Sequence, residues 1–229
     1  SNTAIGYNSL SANSTGENLT AVGTNSLRSN TTADNNTAVG RSCLYTNSTG
    51  ASNTAVGADA LQANTSGSQN VAIGHDVLDS NTTASYNSAL GYNSLSANTT
   101  GEENTALGRI ALQDNTTGSR NTAVGAGALE NNTTADNNTA VGRDSLQQNT
   151  TGTENVAVGT YALDANTTAS DNTALGYASL TANTTGGNNT AVGANSLRDT
   201  TTGGENTAVG YQALLNNTTG DDNVAIGVN

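Results

Sequence analysis

A repeat of 17 residues constrains this chain more than any other feature of its sequence. Each unit contains Ala, then Val, Ile or Leu, then Gly, and 14 such units follow one another without an insertion or deletion. A fixed period is the signature of a repeat protein in which each unit packs against its own copies. We therefore predict one uninterrupted repeat domain over residues 1–229. The repeat glycines are Gly6, Gly23, Gly40, Gly57, Gly74, Gly91, Gly108, Gly125, Gly142, Gly159, Gly176, Gly193, Gly210 and Gly227.

The residues between these glycines favour short strands and turns over helices. Asn, Thr, Ser and Gly fill most positions, and all four are weak helix formers. The Thr-Ala-Val and Ser-Leu segments predict two short strands per unit, and Gly and Asn-Thr-Thr-Gly predict the turns between them. The sequence thus predicts an all-β fold: a parallel β-solenoid, in the form of a flattened two-sheet β-roll, with 17 residues per coil and about 14 coils.

Three apolar positions in each unit predict a thin core. They are the Ala, the Val, Ile or Leu before the glycine, and a Leu four residues after it. Such a core is too narrow for Phe or Trp, and the chain contains neither. We expect each residue to stack on its equivalent one coil away. The residues taken as the core ladder are Val22, Val39, Val56, Val124, Val141, Leu27, Leu44, Leu61, Leu129 and Leu146.

Composition excludes several classes of function. The formal net charge of −12 repels nucleic acid and anionic lipid, so we expect neither nucleic-acid binding nor membrane insertion. Cys43 and His75 are the only residues of their types, so zinc fingers, internal disulfides and Cys/His nucleophiles lack parts. A uniform repeat also offers no pocket of differently placed groups. We expect no catalytic residue, cofactor or metal site, with Cys43 packed in the interior and His75 on the surface.

Asn-Thr-Thr and related triplets create an N-glycosylation sequon in almost every unit. One interpretation is a fibre that carries glycans. The other is structural: the asparagines form amide ladders between coils, and glycans about 4.8 Å apart would crowd one another. The candidate sites are Asn13, Asn30, Asn47, Asn64, Asn81, Asn98, Asn115, Asn132, Asn149, Asn166, Asn183 and Asn217.

Acidic residues collect just before the Asn-Thr-Ala step, which indicates either a stripe for hard cations or a solvated edge that keeps the protein soluble. These acids are Glu17, Asp34, Glu102, Glu103, Asp136, Glu154, Asp171, Glu205, Asp221 and Asp222. The position after the glycine holds Arg and Tyr in several units, typical of either a contact face or ordinary surface variation. The paired threonines also suggest an ice-binding solenoid as a minor alternative.

Two segments carry a resemblance to known repeats. The sequence NVAIG, at residues 70–74 and 223–227, resembles the head repeat of trimeric autotransporter adhesins. The unit NTAVGYQALLNNTTG, at residues 206–220, is similar to repeats of bacterial and viral tail-fibre-like proteins. The resemblance covers essentially the whole chain. It implies a left-handed parallel β-roll, often in a trimer, on a surface fibre.

These observations predict a structural protein rather than an enzyme. We expect an extracellular fibre or filament at a cell or virion surface, built by chains that stack end to end, with the protein itself as the main partner and glycans as a further one. The alternative is a segment of a trimeric adhesin or of a tail fibre.

Overall fold

The computed structural model describes residues 1–228 and divides into two compact units, Ser1–Thr117 and Gly118–Asn229. Each unit contains seven strands, and each strand has three residues. The first unit contains β1 (Thr3–Ile5), β2 (Thr20–Val22), β3 (Thr37–Val39), β4 (Thr54–Val56), β5 (Val71–Ile73), β6 (Ser88–Leu90) and β7 (Thr105–Leu107). The second contains β8 (Thr122–Val124), β9 (Thr139–Val141), β10 (Val156–Val158), β11 (Thr173–Leu175), β12 (Thr190–Val192), β13 (Thr207–Val209) and β14 (Val224–Ile226).

Within each unit, consecutive strands pair in parallel and in register. In the first unit Ala21 pairs with Ala38, and in the second Ala140 pairs with Ala157. Every paired residue therefore meets the residue 17 positions away, which is its own equivalent in the next coil. The predicted all-β parallel β-solenoid with 17 residues per coil is confirmed. The prediction of one uninterrupted domain stays a prediction.

Each coil of the described chain has one strand, whereas the sequence predicted two. The Ser-Leu segment is a turn in which left-handed residues alternate with others: Asn25 has φ 60° and Leu27 has φ 47°. A strand requires negative φ throughout, so this segment cannot extend. It still bonds to the next coil, because the Leu27 N–H donates to the Cys43 carbonyl at 3.0 Å.

The repeat glycine makes the corner between the strand and this turn. Gly142 has φ 138°, a conformation that side chains with a Cβ rarely adopt. A Cβ there would lie 2.6 Å from the carbonyl carbon and oxygen of Gly159 in the next coil. Both the dihedral angle and the distance therefore require glycine at this position.

The core consists of two apolar rows and not three. The strand alanines and the turn leucines are fully buried, as Ala140 and Leu146 are at 0% exposure. The valines of the predicted core ladder are not in this core: Val22, Val56, Val124 and Val141 are half-buried and Val39 is 36% exposed. Neighbouring residues of a strand point to opposite faces, so a buried central Ala turns the Val after it outward. The predicted leucines Leu27, Leu44, Leu61, Leu129 and Leu146 are all buried.

Candidate functional surfaces

The outward side of the strands forms a surface that we call the sheet face. It consists of the first and third residue of every strand, which are Thr, Ser or Val followed by Val, Ile or Leu. Several of these side chains are well exposed, among them Leu90 at 49%, Leu107 at 40% and Leu175 at 37%. None of the fourteen described strands contains a charged residue. The sheet face is thus a regular array of hydroxyl and apolar groups without charge.

Asparagines of the sequons form a buried row beside the core. In the first unit, Asn47 Nδ2 donates to Asn30 Oδ1 at 3.1 Å, and Asn64 Nδ2 donates to Asn47 Oδ1 at 2.8 Å. Each amide also bonds within its own turn, as when Asn47 Nδ2 donates to the Gly50 carbonyl at 2.9 Å. This row is the amide ladder that the structural interpretation of the sequons predicted.

Burial of this row argues against the glycosylation prediction at most of its positions. A glycan attaches through Nδ2, and that atom is enclosed and hydrogen-bonded here. Asn13 and Asn217, in the terminal coils, are half-buried. The candidate sites with 0% exposure are Asn30, Asn47, Asn64, Asn81, Asn98, Asn115, Asn132, Asn149, Asn166 and Asn183.

A second asparagine row precedes the strands and ties side chains to the backbone. The backbone N–H of Asn53 donates to Asn36 Oδ1 at 2.8 Å, and Asn36 Nδ2 donates to the Gly50 carbonyl at 2.8 Å. The Gly50 carbonyl also accepts from Asn47, so it joins the two asparagine rows. These buried polar groups are satisfied almost entirely by their neighbours in the repeat.

Acidic residues at the predicted stripe have roles in the backbone of the coil. The Glu17 N–H donates to Asp34 Oδ1, and the Ser119 N–H donates to Asp136 Oδ1, both at 2.7 Å. Serine does the same elsewhere, since the Ala51 N–H donates to Ser68 Oγ at 3.0 Å. The stripe therefore includes side chains that link adjacent coils.

Turn threonines likewise bond to the backbone. Thr65 Oγ1 donates to the Thr82 carbonyl at 2.9 Å, and Thr99 Oγ1 donates to the Thr116 carbonyl at 3.0 Å. The Asn-Thr-Thr hydroxyls on which the ice-binding alternative rested are thus engaged between coils. The strand threonines of the sheet face are the outward hydroxyls that repeat on the strands.

Cys43 is packed in the interior, as predicted. It is fully buried, and its Sγ donates to the Ala55 carbonyl at 3.1 Å. Burial raises the pKa of the thiol to about 12, against an ordinary value near 9. The side chain therefore stays a neutral thiol and behaves as a small apolar residue.

The row after the glycine carries varied side chains that contact their neighbours from coil to coil. His75 stacks on Tyr92 with ring centroids 5.9 Å apart, and the Arg143 guanidinium lies 5.3 Å from the centroid of the Tyr161 ring. The tyrosines of this row remain exposed, as Tyr92 is at 52% and Tyr177 at 56%. His75 is on the surface, as predicted, with half of its side chain exposed.

One cluster in this region was missed by sequence reasoning. Asp59, His75 and Asp76 bring one ligand atom each to within 4.8 Å of one another. Asp59 and Asp76 are 17 residues apart and therefore occupy the same position of consecutive coils. Superposing the repeats in the sequence would have placed these two carboxylates side by side.

The fold defines the class of protein as a parallel β-solenoid made of tandem repeats. A comparison with models of known protein families gives no match, and a comparison with curated proteins gives no relative. Across residues 1–228, no helix is long and apolar enough to cross a lipid bilayer.

Proposed function

We propose that this chain is a structural protein that builds a fibre by packing its sheet face against further copies of itself. The observation that carries the proposal is the absence of charge from all fourteen described strands, in a chain whose net charge is −12. Two acidic chains repel each other over most of their surfaces. An uncharged face is where they can approach with the least electrostatic cost.

Apolar side chains on the sheet face supply the attraction. Val, Ile or Leu recurs at the third position of each strand, and Leu90, Leu107 and Leu175 leave more than a third of their surface exposed. Burying apolar area stabilises a contact by about 25 cal/mol per Å². Because each coil adds a similar contribution, association should strengthen with the number of coils in contact.

The period of the sheet face favours a copy of this chain as its partner. Strands lie about 4.8 Å apart, so a partner that contacts each coil in the same way must repeat at the same spacing. The chain itself has this spacing along each of its units. This lateral contact differs from the end-to-end stacking that the sequence suggested.

The proposed fibre belongs at a cell or virion surface, in keeping with the likeness of its repeats to adhesin heads and tail fibres. A closed trimer and an open-ended filament both use self-contact, and they differ in whether the mass reaches a limit. N-linked glycans are not part of the proposal, since the sequon amides are buried at ten of the candidate positions.

Sedimentation of matched charge variants tests the proposal. Leu90→Lys combined with Leu175→Lys places two positive charges on the sheet face. Tyr92→Lys combined with Tyr177→Lys places the same two charges nearby but off that face, at positions of similar or greater exposure. We expect wild type and the tyrosine variant to assemble and the leucine variant to remain monomeric at the same protein concentration.

Two results would contradict the proposal. One is a wild type that stays monomeric at high concentration, and the other is equal assembly of the two lysine variants. A mass that levels off at three chains indicates the adhesin-like trimer, whereas a mass that grows with concentration indicates a filament.

Ice binding is a second candidate, because the structure places Thr and Val together on the sheet face. Their rows lie about 6.6 Å apart along a strand and about 4.8 Å apart between strands, a regular array of hydroxyl and methyl groups. The turn threonines considered from sequence are engaged with the backbone instead. Thermal hysteresis that the leucine-to-lysine variant abolishes would support this function, and its absence in wild type would exclude it.

A further inference from the structure

The cluster of Asp59, His75 and Asp76 joins two consecutive coils of the first unit. His75 Nδ1 lies 2.7 Å from Asp76 Oδ2, and Asp59 comes from the preceding coil. The side chains of His75 and Asp76 are 52% and 32% exposed, whereas that of Asp59 is 12% exposed. The cluster therefore has a buried carboxylate at its base and an open side through which an ion can enter.

Neighbouring side chains hold the cluster in place. Gln62 Nε2 donates to Asp59 Oδ1 at 2.9 Å, and the Arg41 guanidinium donates to Asp59 Oδ2. The Tyr92 ring stacks on the His75 imidazole. An ionised carboxylate has about four lone-pair sites, so Asp59 can still accept a ligand bond beside these two donors. The base and the imidazole are thus positioned before any ion arrives.

Two further oxygen groups lie next to the cluster, and they point to a missing cation. Asn93 follows Asp76 at the same position of the next coil, and its Oδ1 is buried without a hydrogen-bond partner. Asp79 is half-buried, and burial together with the negative charge of Asp76 raises the pKa of its carboxyl group. The first observation is an unused buried acceptor, and the second is negative charge that no nearby cation neutralises.

We propose that Asp59, His75 and Asp76 bind one Zn²⁺ ion, a site that is independent of the self-association proposed above. Imidazole and carboxylate are ordinary zinc ligands, with bonds of about 2.0–2.2 Å. Tetrahedral geometry at such bond lengths places ligand atoms roughly 3.4 Å apart, so small side-chain rotations suffice from separations of up to 4.8 Å. The ion takes the place of the proton shared by His75 Nδ1 and Asp76 Oδ2, and that proton is released to solvent. Water completes the coordination on the open side.

Isothermal titration of the whole chain with zinc chloride tests this site. We expect one ion per chain, and an affinity that His75→Ala and Asp76→Asn each lower by about tenfold or more. Arg41→Gln removes a cation that competes for Asp59, so it should raise the affinity by about threefold or more. Circular dichroism of each variant checks that the fold is retained, and His75→Gln replaces His75→Ala if the smaller side chain disturbs the stack on Tyr92.

Asp144→Asn is the matched control. Asp144 has the same position in its coil as Asp76, but it pairs with Arg143 at 2.8 Å, and its coil has no histidine. Its substitution should leave the zinc affinity unchanged. The proposal is overturned if wild type takes up no zinc at millimolar concentration, if His75→Ala binds zinc as wild type does, or if several ions bind and Asp144→Asn weakens them equally.

Discussion

Ala140 and Arg143 lie three residues apart in one coil and represent two kinds of row. Ala140 is fully buried and pairs with Ala157 in the next coil, and the same residue type recurs in every repeat. Arg143 is exposed, and its equivalents include His75, Tyr92 and Tyr177. An inner position contacts its own copies and must suit them all, whereas an outer position contacts mainly solvent and is free to differ. The inner rows therefore carry stability, and the outer rows carry whatever distinguishes one coil from another.

The sequon row contains one exception that shows what an inner position requires. Thr200 stands where the other coils have Asn, and the Oδ1 of Asn183 in the preceding coil is buried without a hydrogen-bond partner. Thr200 Oγ1 donates instead to the Asn217 carbonyl at 2.8 Å. A single change in an inner row thus leaves a defect in its neighbour.

Asn64→Ala should give the largest loss of stability. It removes the bonds from Asn64 Nδ2 to Asn47 Oδ1 and to the Gly67 carbonyl, and the bond from Asn81 Nδ2 to Asn64 Oδ1. We expect the free energy of unfolding to fall by about 3–6 kcal/mol, because buried partners are left unsatisfied. Urea unfolding measures this loss.

The control for Asn64→Ala is an outer asparagine. Asn131 Nδ2 donates to Gln148 Oε1 at 3.0 Å in a solvent-exposed contact. Asn131→Ala should cost less than about 1 kcal/mol. Similar losses at the two positions would show that the amide ladder adds nothing beyond an ordinary surface hydrogen bond.

Leu146→Ala should follow, with a loss of about 2–5 kcal/mol from a cavity in the buried leucine row. The matched change Leu175→Ala lies on the sheet face, where the side chain is 37% exposed, and should cost about 1 kcal/mol in dilute protein. Thermal unfolding of the two variants at low concentration compares them. A larger loss at Leu175 would place the core on the wrong side of the strand.

Thr200→Asn should give a small gain. The new amide can donate to Asn183 Oδ1 and restore the ladder, which we expect to stabilise the second unit by about 1 kcal/mol. Thr201→Asn, one residue further and outside the row, should give no gain. If both variants match wild type in urea, the unsatisfied oxygen has no energetic weight.

Much of this fold was predictable because the glycine period alone sets the register. Ala140 on Ala157 and Val141 on Val158 follow from 17-residue spacing and parallel stacking. The direction of the valines was predictable as well, since the buried Ala and the Val beside it cannot share one face of a strand. Placing Ala and Val together in the core overlooked that alternation.

The turn geometry could not be predicted from residue types. Leu146 has φ 50°, although leucine seldom adopts the left-handed region. Its complete burial and the bond from its N–H to the Ala162 carbonyl, at 3.0 Å, compensate for this conformation. Such compensation depends on the neighbouring coil, so local preferences predicted a strand. The Asp59, His75 and Asp76 cluster was missed for a different reason, because the pass along the chain did not compare equivalent positions of adjacent coils.

Cross-linking of single cysteines tests most directly whether the sheet face contacts a second copy. Cys43→Ser provides the background, since Ser26 Oγ makes the equivalent bond to the Ala38 carbonyl at 3.0 Å. Val158→Cys then places a thiol on the sheet face, and Tyr177→Cys places one off it, at native side-chain exposures of 38% and 56%. With a short bismaleimide, we predict covalent dimers from Val158→Cys and few from Tyr177→Cys at the same concentration. Equal yields, or a higher yield from Tyr177→Cys, would contradict self-association through the sheet face.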